Sequence, residues 1–278
     1  MMKGVQESLA GRVALLQLSP LSYGEIMEDD GTPPFRVELS ALTERQDHRT
    51  AQFSNGQVIQ RNRLPAPALL LSQVLQHSGF AHLMNYKGIA DDAEIDQATA
   101  KNWLHILETL GIVFLLRPYS NNVLKRTVST PKLYFYDTGL VCYLTRWSSP
   151  ETAMNGAMNG ALLENYTVSE IVKTYQNAGQ EPFLYYYRDK DAREIDLLLE
   201  QDGKLFPIEI KKMAAPPKKL TKVFELIGKS PLERGTGAVL CMAERLGAFD
   251  KDNLIVPISL ISEQHQPQSP GVRYFPVP

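Results

Sequence analysis

The stretch REIDLLLEQDGKLFPIEIKKM, residues 193–213, decides how this chain is read. In a strand successive side chains alternate between faces. From Glu194 to Glu200, this puts Ile195, Leu197 and Leu199 on one face and Glu194, Asp196, Leu198 and Glu200 on the other. The next run behaves likewise, with Phe206, Ile208 and Ile210 opposed to Pro207, Glu209 and Lys211. Between them Asp202-Gly203 is a strong hairpin signal, because glycine accepts the positive φ of a tight turn. Two antiparallel strands are expected, carrying Asp196, Glu209 and Lys211 to one surface.

Two carboxylates beside an ammonium suit a hard divalent cation such as Mg2+ or Mn2+. Such an ion takes carboxylate oxygens and keeps waters, and it can activate a water and polarise a phosphoryl oxygen. The ammonium would hold that water or offset charge developing on phosphate. The exposed face of a soluble hairpin is also polar for solubility alone, so spacing by itself leaves that reading open. A third carboxylate comes from GALLENYTVSEIVKTYQNAG, residues 160–179. The segment reads as a helix ended by Gly179, with Val168, Ile171, Val172 and Tyr175 as its apolar stripe. Glu164 falls on that stripe, where a carboxylate needs a cation, a metal or donors.

In order, helix Glu164, strand Asp196 and Glu209-Ile210-Lys211 resemble the core of the PD-(D/E)xK nucleases, the restriction-endonuclease-like fold. Ile195 stands where that pattern has proline, a change the superfamily often shows. More specifically, GALLENYTVSEI, YYYRDKDAREIDLLLE and LFPIEIKK resemble the DUF4143 domain of bacterial and archaeal AAA-type ATP-binding proteins. The resemblance implies Asp196, Glu209 and Lys211 as catalytic residues, with Glu164, Asp196 and Glu209 holding Mg2+ or Mn2+. It implies a metal-dependent phosphodiesterase acting on nucleic acid, DNA before RNA. A catalytically inactive DNA- or protein-binding regulatory module of an ATP-driven complex remains the alternative, because the motif has few cations nearby to meet a polyanion.

The chain has 278 residues, enough for two domains or a little more, and its 44% hydrophobic and 22% charged shares are those of an ordinary globular protein. A formal charge of −2 leaves nucleic-acid binding to a local basic patch. Cys142 and Cys241 lie in apolar runs and read as buried thiols of a cytoplasmic protein, without metal-ligand spacing. No run of about eighteen apolar residues predicts a membrane span.

The opening residues 1–28 resemble the end of the ATPase core in the same family, whose SESLAGR segment is matched here by QESLAGR. They are expected to be a remnant of that domain, its phosphate loop missing. Gly228-Lys229-Ser230 imitates such a loop, yet Val223 occupies the first glycine position and Pro231 follows, so a helix end is expected there. ATP is accordingly expected only in a full-length relative, where an ATPase domain or other protein would be the partner.

Residues 29–57 are polar and proline-marked and read as a linker or insertion with little core. Residues 58–147 carry three helix patterns and then a two-stranded ribbon, the order of a winged helix-turn-helix. The third helix is expected over about residues 97–110, with Trp103, Leu104, Ile106, Leu107 and Leu110 buried. Its candidate recognition surface suits DNA weakly. The wing is better, with Arg117, Lys125, Arg126 and Lys132 available to phosphates. Protein packing is the other use open to this module. Residues 148–262 form the expected nuclease-like α/β domain, and the proline-rich 263–278 a tail. The overall expectation is an α/β (α+β) chain, a winged helix followed by a restriction-endonuclease-like domain.

Overall fold

The computed structural model describes residues 33–48, 80–119, 130–228 and 230–261. The expected ATPase remnant, the expected first helix and wing residues Lys125 and Arg126 of a winged module, and the expected tail lie outside them. Among the described residues the helices are α1 (Leu39–His48), α2 (Tyr86–Asp92), α3 (Gln97–Thr109), α4 (Thr138–Leu144), α5 (Pro150–Asn155) and α6 (Asn159–Asn177). The strands are β1 (His82–Leu83), β2 (Val113–Pro118), β3 (Lys132–Phe135), β4 (Leu184–Arg188), β5 (Glu194–Gln201), β6 (Lys204–Lys211), β7 (Glu233–Arg234), β8 (Gly237–Cys241), β9 (Gly247–Asp250) and β10 (Asn253–Pro257). They form one mixed sheet in the order β1-β3-β2-β4-β5-β6-β8-β10-β9, with β7 beside β6.

The β5–β6 hairpin is antiparallel as expected, Leu197 facing Ile208 and Gln201 facing Lys204. Asp202 and Gly203 take φ of +50° and +73°, the two positive values that a type I′ turn requires. A parallel step follows from β6 to β8, and another from β8 to β10. The 3-10 helix Lys218–Ile227 makes the first crossover and ends at Gly228, so the Gly-Lys-Ser imitation does start at a helix end.

One register irregularity alters the expected faces of β5. Tyr185 pairs with Leu198, and Tyr187 pairs with Ile195, so two residues of β4 span three of β5. The extra residue is a bulge, which breaks strict alternation. Leu197 and Leu199 pack in the core beneath α6 with Phe206, Ile208 and Ile210. Ile195, expected beside them, instead packs with Leu198, Leu205 and Phe224 in a second core on the opposite face.

Helix α6 is more deeply set than a one-striped helix. Besides Val168, Ile171, Val172 and Tyr175, it buries Asn165, Thr167, Glu170 and Lys173. Glu170 and Lys173 offset each other as an ion pair at 2.9 Å. The Asn165 amide accepts the Phe135 N–H at 2.8 Å and donates to the Phe135 carbonyl at 3.0 Å, fastening α6 to β3. The helix stops where Gly179 turns to φ +67°, and the Gln180 N–H returns to the Tyr175 carbonyl, a Schellman closure.

In the module preceding α4, helices α2 and α3 lead into the β2–β3 ribbon, with β1 added to β3. Asp96 caps α3 by accepting from the Ala98 and Thr99 N–H groups. The buried face of α3 is Ala100, Leu104 and Leu107. Ile106 and Leu110, expected inside, are 53% and 64% exposed, since the i, i+4, i+7 line through Ala100 leaves them on the neighbouring face. β2 also runs parallel to β4 through Arg117 and Pro118, so this module and the hairpin share one sheet.

Residues 33–48 correct the linker expectation. Phe35, Val37 and Leu42 lie fully inside the core beneath α6. Arg45, itself buried, donates to the carbonyls of Leu260 and Pro34 at 3.0 and 3.2 Å, and also to those of Ile261 and Pro33. A single guanidinium with five donors ties the segment to the end of the α/β core.

Candidate active site

The bulge in β5 explains where Asp196 sits. The β5–β6 ladder closes at Leu197. Beyond it the Asp196 carboxylate replaces a strand carbonyl and accepts the Ile210 N–H at 2.9 Å. The same oxygen lies 2.8 Å from Lys211 Nζ, which also meets Glu209 at 2.7 Å. Asp196, Glu209 and Lys211 are therefore brought together. Glu209 alternates with Ile208 and Ile210, which pack beneath α6, so its carboxylate emerges on the other face of the sheet.

Burial, and then the charge of Asp196, push the Glu209 carboxyl up to about 8, against the opposing pull of Lys211. Lys211 is held above its ordinary value because Asp196 and Glu209 outweigh its own burial. Two carboxylates and one ammonium thus share one proton-sensitive cluster, with the negative charges only partly offset.

Glu164 is held in a separate network. Its Oε1 accepts from Lys132 Nζ at 3.0 Å and from the Tyr134 hydroxyl at 2.7 Å. Lys132 continues to Glu194 at 2.6 Å, and Glu194 meets Arg188 at 3.3 Å. The Lys132 ammonium also lies 5.6 Å from the centre of the Tyr186 ring. Burial, which dominates, and nearby Asp196 raise the Glu164 carboxyl, while Lys132 pulls it down. Asp196 is thus the shared neighbour: its charge bears on both Glu164 and Glu209.

Lys132, expected on the wing facing phosphate, is corrected to a buried ion-pair partner, its side chain 4% exposed. Neither Tyr134 nor Glu194 was singled out from the sequence as a site residue. A signal existed for Glu194, which shares the polar face of β5 with Asp196. None existed for Tyr134, whose role depends on β3 lying beside α6. Arg117 remains exposed on β2.

A hard divalent ion fits part of this donor set. Asp196 and Glu209 supply the one or two carboxylates that Mg2+ or Mn2+ needs when waters and phosphate complete its shell. Glu164 is not brought into that pair, its charge being met by Lys132 and Tyr134. Among the described residues, no group of three or more His, Cys, Asp or Glu side chains is gathered to hold a metal ion.

Residues 159–261, which contain Glu164, Asp196, Glu209 and Lys211, match the family described as "Domain of unknown function (DUF4143)". The chain carries a DUF4143 domain. Residues 56–151, ahead of the DUF4143 domain, match "Domain of unknown function (DUF8612)". The chain is 26% identical over 227 residues to the uncharacterized protein Rv2008c of Mycobacterium tuberculosis and to the uncharacterized protein Mb2031c of Mycobacterium bovis. In each case the match covers 76% of this chain and 49% of the relative, so the chain spans about half the length of these curated relatives. No solved structure gives a significant match. No described helix is long and apolar enough to cross a membrane.

Proposed function

We propose that the DUF4143 domain is a nuclease-like phosphodiesterase, with Asp196 and Glu209 as the carboxylates for one Mg2+ or Mn2+ ion and Lys211 as the cation beside them. The observation that carries this reading is the convergence of Asp196, Glu209 and Lys211 within 2.8 Å contacts at the interrupted end of the hairpin. The metal, when bound, supplies a more acidic water and a Lewis acid for a phosphoryl oxygen. Lys211 offsets charge on the phosphate and, its side chain 32% exposed, can turn from the carboxylates toward a substrate. Glu164 acts through Lys132 as a positioning residue: it holds the β3 and β5 edges around Asp196. The reading includes an ATP-binding part in longer relatives, to which the winged module joins this domain.

The test is cleavage of a panel of DNA and RNA substrates in Mn2+, comparing wild type with Glu209→Ala and Asp196→Ala. Cleavage by the wild type alone, with both variants folded, is the expected result. Equal cleavage by all three would overturn the site.

A second reading has its own observation. Each carboxylate already has a lysine partner, and Glu164 stands outside the metal pair. On that reading the domain is a binding module of an ATP-driven complex, and the charged cluster is structural. Absence of cleavage, together with no stabilisation of the wild type by Mn2+, favours it.

A further inference from the structure

A second polar site lies on the 3-10 helix, away from the carboxylates. A period of three residues per turn sorts Lys218–Ile227 into three ridges. Thr221, Phe224 and Ile227 are buried, whereas Leu220, Val223 and Leu226 are half-buried against the same core. The remaining ridge, Lys219, Lys222 and Glu225, faces solvent. An α-helical pitch would have fanned these three around the surface. The 3-10 pitch stacks them instead.

That ridge borders a cavity of about 450 Å3, which Lys218, Arg234, Asp250 and Asn253 also line. Lys218 is offset by Asp250 at 2.9 Å. Asn253 accepts a hydrogen bond from Arg234, whose guanidinium lies 5.8 Å from the centre of the Phe224 ring. Arg234 Nε is buried and has no hydrogen-bond partner. Lys219, Lys222 and Arg234 thus converge on one opening with Glu225 as the opposing charge. The size is that of a small-ligand site, and its donors are those that meet phosphate oxygens.

The position relates this cavity to the carboxylates. Arg234 pairs with Leu205 on β6, and Leu205 and Glu209 share one face of that strand. Four residue steps of strand lie between them, about 13 Å, or roughly four nucleotides of duplex rise. We infer that the Lys219–Lys222–Arg234 cavity is a backbone-phosphate anchor for nucleic acid, engaging the strand on the same sheet face as Asp196 and Glu209. This rests on the nucleic-acid reading above, and it supplies the local cations that the sequence around the motif lacks.

The test is fluorescence anisotropy with labelled single-stranded and duplex oligonucleotides in EDTA, where cleavage is excluded. The exposed pair Lys219→Glu/Lys222→Glu should weaken binding tenfold or more and flatten the salt dependence by about two phosphate contacts. Gly203→Ala, at the hairpin turn and outside both sites, should bind within about twofold of wild type, and because EDTA excludes cleavage, the binding readout stands apart from the catalytic assignment. Affinity unchanged in the lysine variant, or no binding by the wild type, would overturn the inference. So would stabilisation of the wild type by inorganic pyrophosphate without oligonucleotide binding, which would mark a site for free phosphates.

Discussion

Lys132 Nζ stands 3.0 Å from Glu164 Oε1, with the two side chains 4% and 16% exposed. The contact joins a strand of the preceding module to the first helix of the DUF4143 domain. It links the β2–β3 ribbon to the candidate site through a single buried charge.

Removing that charge has a clear sign. Lys132→Met leaves Glu164 and Glu194 without their shared cation in a desolvated setting. A loss of about 3–5 kcal/mol in unfolding free energy is expected. Urea denaturation should show it, and adding Glu164→Gln to the same protein should recover part of the loss by removing one stranded carboxylate.

Glu209 gives the chain a pH signature in metal-free buffer. Its folded value, about 8, lies above the ordinary carboxyl value of 4.5. The folded state therefore binds the proton more tightly, and this contribution to stability is complete below about pH 4.5 and is lost as pH rises toward 8. The decline attributable to this group is at most about 1.4 kcal/mol per pH unit. Chemical denaturation at several pH values should show a shallower decline for Glu209→Gln than for wild type; identical slopes would remove Glu209 as the cause.

Mn2+ binding should reverse part of that penalty. A divalent ion at Asp196 and Glu209 favours both carboxylates ionised, so its stabilising effect should grow between pH 6 and 8 as protons leave. Thermal shift against Mn2+ concentration checks this, with Asp196→Asn expected to abolish the response.

Gly203 tests the hairpin without touching the site. Its φ is +73°, and a Cβ added there would meet nothing within 4 Å. Gly203→Ala should cost about 1–2 kcal/mol from backbone conformation alone. Oligonucleotide binding should be unchanged once the variant is folded.

Arg45 tests the docking of residues 33–48. Arg45→Ala leaves the carbonyls of Leu260, Ile261, Pro33 and Pro34 without their donor. Each that stays buried and unpaired costs about 1–3 kcal/mol. A lower melting temperature and faster proteolytic cutting within 33–48 are expected, and Arg45→Lys should rescue little because an ammonium cannot fork to both ends.

The local elements were legible because their signals are local. Asp202-Gly203 specified its turn and Gly179 the stop of α6. The Glu209-Ile210-Lys211 spacing sufficed to place an acid and an amine together. Less was legible where alternation was assumed to run unbroken. The bulge near Asp196 moved Ile195 to the opposite core, and a bulge depends on how β4 is paired. The apolar pattern of α3 likewise could not say that Ala100, Leu104 and Leu107 would be covered while Ile106 stayed exposed.

By itself, then, the sequence determined the hairpin, its turn, the helix that carries Glu164 and the grouping of Glu209 with Lys211. Backbone dihedrals and strand alternation act over a few residues and can be read there. Only the tertiary structure decided that Lys132 turns inward to Glu164 and Glu194, and that Phe35, Val37 and Leu42 enter the core. It alone set Lys219, Lys222 and Arg234 around one cavity. These depend on contacts between segments far apart in the chain, and a side chain's charge or apolarity states what it needs without naming the partner that meets it.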